Sequence, residues 1–226
     1  MSDDRSPAPA RKRAAAKPRG GDPNPDVEPD QQPSTLDACR RCALWRDATQ
    51  PVPGAGAARA TIMLVGEQPG DREDIEGKPF VGPAGALLDA ALQEAGIRRT
   101  DVYVTNAVKH FKWTLRGKRR LHRTPAQREV EACSYWLDRE LKKVRATVIV
   151  ALGATALRAV RDEPAARLQD YFGQPSDARG RQLVATWHPS YVLRAPDPQA
   201  RERARADLVA ALQLAAKLAS EPAGGD

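Results

Sequence analysis

The chain of 226 residues carries three cysteines and three histidines, and their spacing gives the first chemical signals. Cys39 and Cys42 form a C-x-x-C pair, which places two thiolates on one ion or cluster without backbone strain. His110 alone would read as a hydrogen-bonded loop residue, and Cys133 alone as plain core. Together with the pair they make a Cys₃His set that leaves no cysteine over. Structural zinc and an iron–sulfur cluster both fit that donor set, and spacing does not choose between them.

A second signal is basic. From residue 109 to 128 there are eight Lys or Arg and no acid. Its centre is Arg116-Gly117-Lys118-Arg119-Arg120-Leu121-His122-Arg123, with Phe111 and Trp113 interleaved. Cations with aromatics between them suit a nucleic-acid backbone and its bases, so Lys118, Arg119, Arg120 and Arg123 are candidate DNA contacts. The plain alternative is a solvated basic loop. The stretch leads into a helix start, with Thr124 as N-cap, Pro125 at the first helical position and Gln127 completing a capping box. His122 lies two residues before that cap, among cations. Both surroundings disfavour the imidazolium, so a neutral imidazole is expected there, a candidate nucleophile or else a phosphate contact.

Two further segments are chemically dense. Gly66-Glu67-Gln68-Pro69-Gly70-Asp71 combines glycines that let backbone approach a ligand with two carboxylates. Trp187-His188-Pro189-Ser190-Tyr191 offers an imidazole donor followed by a hydroxyl suited to a phosphate.

The elements that must position these residues alternate in type. Short apolar runs at 61–66 (TIMLVG), 101–106 (DVYVTN), 147–152 (TVIVAL) and 182–187 (QLVATW) read as buried strands. Helical patterns at 84–95, 125–145, a short one ending at 161, and 199–219 separate or follow them. Strands divided by helices predict an α/β fold with a four-stranded parallel sheet covered on both faces. Ligands of such sheets bind beyond the carboxyl ends of the strands, where all the segments above fall.

Composition bounds the rest. The net charge is +7, which favours an anionic partner. No run approaches a membrane span, the N-terminus has no apolar signal region, and the cysteine count is odd. Membrane-spanning, secreted and disulfide-stapled classes are therefore excluded, and a cytoplasmic location is expected. Residues 1–34 hold seven prolines and equal numbers of acids and bases, and are read as a disordered tail that is either a bland extension or a weak nucleic-acid tether. Residues 35–220 form the folded domain, and 221–226 a frayed end.

These pieces resemble the uracil-DNA glycosylase superfamily in its iron–sulfur branch, family 4. The matching segments are C-x-x-C at 39–42, GEQPGD at 66–71, GKPFVGPAG at 77–85, TNAVK at 105–109, EACSYWL at 131–137, ALG at 151–153 and WHPSYVLR at 187–194. Two departures from family 4, His110 in place of a cysteine and the inserted basic loop at 116–122, are similar to the UdgX class, which cross-links itself to uracil-containing DNA. Leu121 stands where that class commonly has Ile.

The resemblance implies a three-layer α/β/α fold and a [4Fe–4S] cluster on Cys39, Cys42, His110 and Cys133, with zinc as the alternative. It implies a uracil pocket in which Gly66 and Gln68 line the wall, Phe80 stacks on the base, Asn106 reads its polar edge and His188 donates to O2. Glu67 would orient His122, which would bond to C1′ of the sugar in a single turnover, and Asp71 would support the pocket. Ser190 and Tyr191 would contact DNA, single-stranded by preference, and a monomer is expected. The alternatives are a conventional multiple-turnover glycosylase and a non-catalytic, metal-stabilised single-strand-binding protein.

Overall fold

The computed structural model describes residues 27–221. In chain order the strands are β1 (Ile62–Gly66), β2 (Val102–Asn106), β3 (Trp113–Arg116), β4 (Arg119–His122), β5 (Val148–Leu152), β6 (Pro175–Ala178) and β7 (Arg181–Thr186). The helices are α1 (Asp71–Glu76), α2 (Pro83–Glu94), α3 (Gln127–Lys143), α4 (Ala154–Arg161), α5 (Leu168–Tyr171), α6 (Pro189–Leu193) and α7 (Pro198–Ser220).

The central sheet runs β2-β1-β5-β7-β6. Its first four strands are parallel, and they are the four expected apolar runs. The expected strand count of four is nevertheless corrected to five, because β6 pairs antiparallel with β7 at the edge. Pro175-Ser176-Asp177-Ala178 contains no apolar run, and an edge strand buries too little to need one.

Every residue of β1, β2 and β5 is buried, as a sheet covered on both faces requires. Alternate residues divide between two cores. Met63, Val65, Tyr103, Ile149, Ala151 and Leu183 pack with α3 and α4, and that core also holds Cys39, Cys42 and Cys133. Ile62, Leu64, Val102, Val104, Val148, Val150 and Val184 pack with α2 and α7. Period-two alternation between two apolar layers gives the three-layer arrangement.

The start of α3 differs from expectation. Its N-cap is Ala126, not Thr124, and the Glu129 carboxylate accepts the Ala126 N–H at 2.6 Å in place of a hydroxyl cap. Lys112 Nζ, 2.8 Å away, holds that carboxylate in position. His122 therefore lies on β4 rather than against the first turn of a helix, and its surroundings are set by other residues.

Of the expected N-terminal tail, residues 1–26 lie outside the described residues, as do 222–226 at the other end. Residues 27–34 pack on the C-x-x-C segment. Glu28 N–H donates to the Arg40 carbonyl at 2.8 Å, Arg40 N–H to Gln31 Oε1 at 2.7 Å, and the Tyr135 hydroxyl to the Pro33 carbonyl at 3.2 Å. Among the described residues no helix is long and apolar enough to cross a membrane.

Candidate active site

In the sheet, β1 lies between β2 and β5, so the chain order reverses direction at β1 and opens a crevice at its carboxyl end. Glu67 follows β1, Asn106 ends β2, Gly153 follows β5 and His188 follows β7. A cleft of about 830 Å³ occupies this end of the sheet. Glu67, Gln68, Asp71, Phe80, Asn106, His122, Thr155, His188, Ser190 and Tyr191 all line it.

Phe80 and Asn106 are buried side by side. Phe80 has a left-handed backbone (φ 56°), rare for a residue with a large side chain, and its ring lies 5.8 Å from that of His188 at 30°. Such a conformation needs local support. Gly85 gives it, since a Cβ there would come within 1.9 Å of the Phe80 carbonyl oxygen. Gly66 does not line the cleft as expected. It acts as a spacer: a Cβ there would fall 2.3 Å from Asn106 Oδ1 and 2.7 Å from Phe80 Cζ. Asn106 is 2% exposed, and its Oδ1 has no hydrogen-bond partner within the protein. Buried acceptors are normally satisfied, so this one fits an N–H donor on a ligand.

His188 is held in one tautomer. The Ser190 N–H donates to its Nδ1 at 3.1 Å, and Ser190 Oγ lies 2.8 Å from the same nitrogen. In the neutral ring the proton must then sit on Nε2. Burial pushes the pKa down to about 4, helped by His122 and Arg194 and opposed by the Glu67 carboxylate. His188 is thus a neutral N–H donor. Ser190, expected to meet a phosphate, has its hydroxyl and N–H turned to this task.

Glu67 Oε1 lies 3.2 Å from His122 Nε2, and Thr155 Oγ1 donates to Oε2. Burial raises the Glu67 pKa, but the hydrogen bonds from His122 and Thr155, with the nearby His122 and His188 rings, leave it below the usual value. Thr155 went unnoticed in the sequence. Its one signal is its place just after Gly153 at the end of β5.

The basic segment is a two-stranded hairpin, β3 and β4, with Trp113 opposite His122. Gly117 takes the left-handed position in its two-residue turn (φ 60°). One of the residues expected to grip DNA, Arg120, instead anchors the hairpin. Arg120 binds Asp71 Oδ1 and the buried Asp74 Oδ2, each at 2.6 Å, and lies 5.5 Å from the Phe111 and Trp113 rings. Asp71 thereby spends its carboxylate on Arg120. Phe111 is fully buried, and Trp113 Nε1 donates to the Asp47 carbonyl at 2.9 Å. The Gln68 amide spans the hairpin's base: it donates to the Lys112 and Arg123 carbonyls at 3.2 and 3.1 Å, and accepts from the Lys112 N–H at 3.1 Å. It fixes the hairpin rather than presenting its amide to the cleft. Lys118, Arg119 and Arg123 are exposed, and so is Tyr191, stacked 4.4 Å from Trp187.

Comparison with known proteins identifies the family. The sequence model of the Uracil DNA glycosylase superfamily matches residues 53–213. The chain belongs to the uracil-DNA glycosylase superfamily. It is 41% identical over 157 residues to the type-4 uracil-DNA glycosylase of Thermotoga maritima, covering 69% of this chain and 78% of that one. It is 37% identical over 182 residues to the type-4 enzyme of Archaeoglobus fulgidus, covering 75% and 84%. With the type-4 enzyme of Pyrobaculum aerophilum the identity is 40% over 165 residues, covering 70% and 81%.

In this member of the superfamily the four expected metal ligands are all buried: Cys39, Cys42, His110 and Cys133. None of the cysteines is disulfide-bonded. Trp136 Nε1 donates to Cys39 Sγ at 3.3 Å, and the Lys109 N–H to Cys133 Sγ at 3.3 Å. Burial, with the neighbouring Cys42 and Cys39, pushes the Cys133 thiol up to about 12. Burial holds His110 down at about 4, so its imidazole is neutral and fit to ligate. Among the described residues no three of His, Cys, Asp and Glu are gathered closely enough to hold a single ion.

Proposed function

We propose that this protein excises uracil from DNA, preferring single strands, and is then captured by its own product through His122. The observation that carries this reading is the His122–Glu67 contact of 3.2 Å in the same cleft as Asn106, Phe80 and His188. The relatives named as type-4 uracil-DNA glycosylases support the first half of it.

The base enters the cleft unstacked, against Phe80. Asn106 Oδ1 accepts from uracil N3–H; cytosine offers no hydrogen there, which sets the discrimination. As the C1′–N1 bond breaks, its electron pair leaves with the base, and the Nε2–H of His188 donates to O2, where charge builds. A preorganised donor of this kind is worth about 3–4 kcal/mol. The sugar becomes oxocarbenium-like at C1′. A ring nitrogen of His122 gives its lone pair to C1′, and the positive charge that develops on the ring is neutralised by Glu67, which holds or accepts the ring proton. The new C–N bond leaves a single-turnover protein–DNA adduct. Exposed Lys118, Arg119 and Arg123 serve the phosphates, and Tyr191 a neighbouring base.

The buried Cys₃His set with N–H donors on two of its sulfurs suits a [4Fe–4S] cluster held by Cys39, Cys42, His110 and Cys133. The cluster would supply a rigid cross-link between the 39–42 segment, the turn after β2, and α3.

The test is a boiled, denaturing gel of the protein with a single-stranded oligonucleotide containing one uracil, with thymine as control. A uracil-dependent, boil-stable shifted band that disappears in His122→Ser, leaving free uracil and an abasic site, is the expected result. Strand scission after alkali with no shifted band would make it a conventional glycosylase. Salt-sensitive binding with neither would make it a binding protein.

A further inference from the structure

Lys109 is among the largest fully buried side chains of the described residues. All three ammonium hydrogens are used: Nζ lies 2.6 Å from Thr105 Oγ1, 2.8 Å from the Asn106 carbonyl oxygen and 2.7 Å from Glu140 Oε2. Glu140 Oε2 also accepts from Thr105 Oγ1 at 2.6 Å, and its Oε1 accepts the Gly54 N–H at 2.9 Å. The lysine thus fills the inside of the turn that leaves β2. That turn carries Asn106 at its start and His110 at its end. Its outside is pinned by Ala107 and Val108, whose N–H groups donate to the carbonyls of Gly66 and Glu67 at 2.8 and 3.0 Å.

A buried ion pair is a poor device for stability alone, since apolar side chains of the same volume usually serve as well or better. What this pair does that apolar side chains could not is bind the Asn106 carbonyl and the Thr105 hydroxyl directionally. The Lys109 N–H also reaches the Cys133 sulfur, so one residue ties the turn to α3 through both its backbone and its side chain.

We propose that Lys109 and Glu140 are positioning residues that set Asn106 for reading the base. This rests on the uracil-reading role given to Asn106 above. The pair touches no substrate and acts through the backbone of residue 106. A displacement of about 1 Å in a positioned group costs on the order of 100-fold in rate.

The experiment is a double-mutant cycle on the full chain. Lys109→Met and Glu140→Gln are made together, so that no unpaired charge is buried, in the parent and in an Asn106→Ala background. The maximal single-turnover rate of uracil release is measured, with the affinity for a uracil-free oligonucleotide and the melting temperature as companions. The expected result in the parent is a loss of about 100-fold in maximal rate at unchanged DNA affinity. In the Asn106→Ala background the pair costs nothing further, because its effect runs through the residue already removed. An equal loss in both backgrounds means a merely structural effect and overturns the proposal, as does no loss in the parent. If the double variant does not fold, Glu140→Gln alone, which keeps an acceptor for the ammonium, is read in the same cycle. A parent protein that releases no uracil overturns the reading of Asn106 and this inference with it, and that is seen before any substitution is made.

Discussion

Replacing Arg120 should separate capture from excision. The guanidinium joins the hairpin to α1 through two ion pairs. The pair with Asp74 is buried on the acid side, and breaking a buried pair costs about 3–5 kcal/mol. Asp74 keeps the Thr49 N–H at 3.0 Å, which argues for the lower end. The Asp71 pair is half exposed and adds about 0–1 kcal/mol. About 3 kcal/mol is therefore removed from docking of the hairpin. At 1.4 kcal/mol per factor of ten, that shifts its docking equilibrium on the order of 100-fold. His122 rides on the hairpin, whereas Asn106 ends β2 and Phe80 and His188 sit on segments outside the hairpin. Arg120→Met should lower the rate of adduct formation by up to about 100-fold while uracil release continues, so that abasic sites accumulate instead of cross-links. The assay follows both products in one time course: alkali-labile sites for excision, boil-stable shifted bands for capture. Equal losses in the two, or an unchanged adduct rate, would refute the reasoning, the second by showing that Gln68 and Trp113 hold the hairpin unaided.

Three other outcomes follow from the site. Glu67→Gln keeps the contact to His122 but not the charge, and should slow adduct formation by about 100-fold. His188 is lowered to about 4 in the fold against about 6.5 in an unfolded chain, so the unfolded state takes up the proton first as pH falls. Stability should drop by about 1.4 kcal/mol per pH unit from pH 6.5 towards 4 on this account, and urea titrations of the parent and His188→Gln should show the shallower acid slope in the variant. His110→Cys should retain iron and brown colour after anaerobic purification while His110→Ala loses them, and a parent protein that carries zinc alone would overturn the cluster assignment.

The parallel sheet was legible because each of its strands is a run of apolar residues ending in Gly, Asn, Leu or Thr at the site, and burial on both faces leaves no room for another pattern. β6 was not, since Pro175-Ser176-Asp177-Ala178 pairs on one side only and buries one residue. The start of α3 was misplaced because Thr124-Pro125 satisfies the local rules for a cap, yet Glu129, steadied by Lys112, caps the helix two residues later. Candidate site residues at strand ends were legible from chemistry and position together. The tasks of Gln68 and Arg120 were not, because their partners lie 44 and 46 residues away, and charge alone made Arg120 look like a DNA contact. The burial of Phe111 beside Arg120 and His122 was hidden for the same reason: an aromatic among cations reads alike whether it faces a base or the inside of the protein.

The Arg123 N–H donates to the Lys112 carbonyl at 2.9 Å, so the hairpin leaves and re-enters the body at almost one point. A segment closed in this way can be gained or lost as a single insertion without moving the chain on either side. The imidazole that we assign to capture is therefore carried by an excursion from the glycosylase body, whose sheet and whose Phe80, Asn106 and His188 lie outside it. Removing residues 113–122 and joining 112 to 123 through a short turn asks nothing new of the sheet, although it leaves Asp71 and Asp74 without Arg120, and that one change in chain length separates keeping the sugar from releasing it as an abasic site.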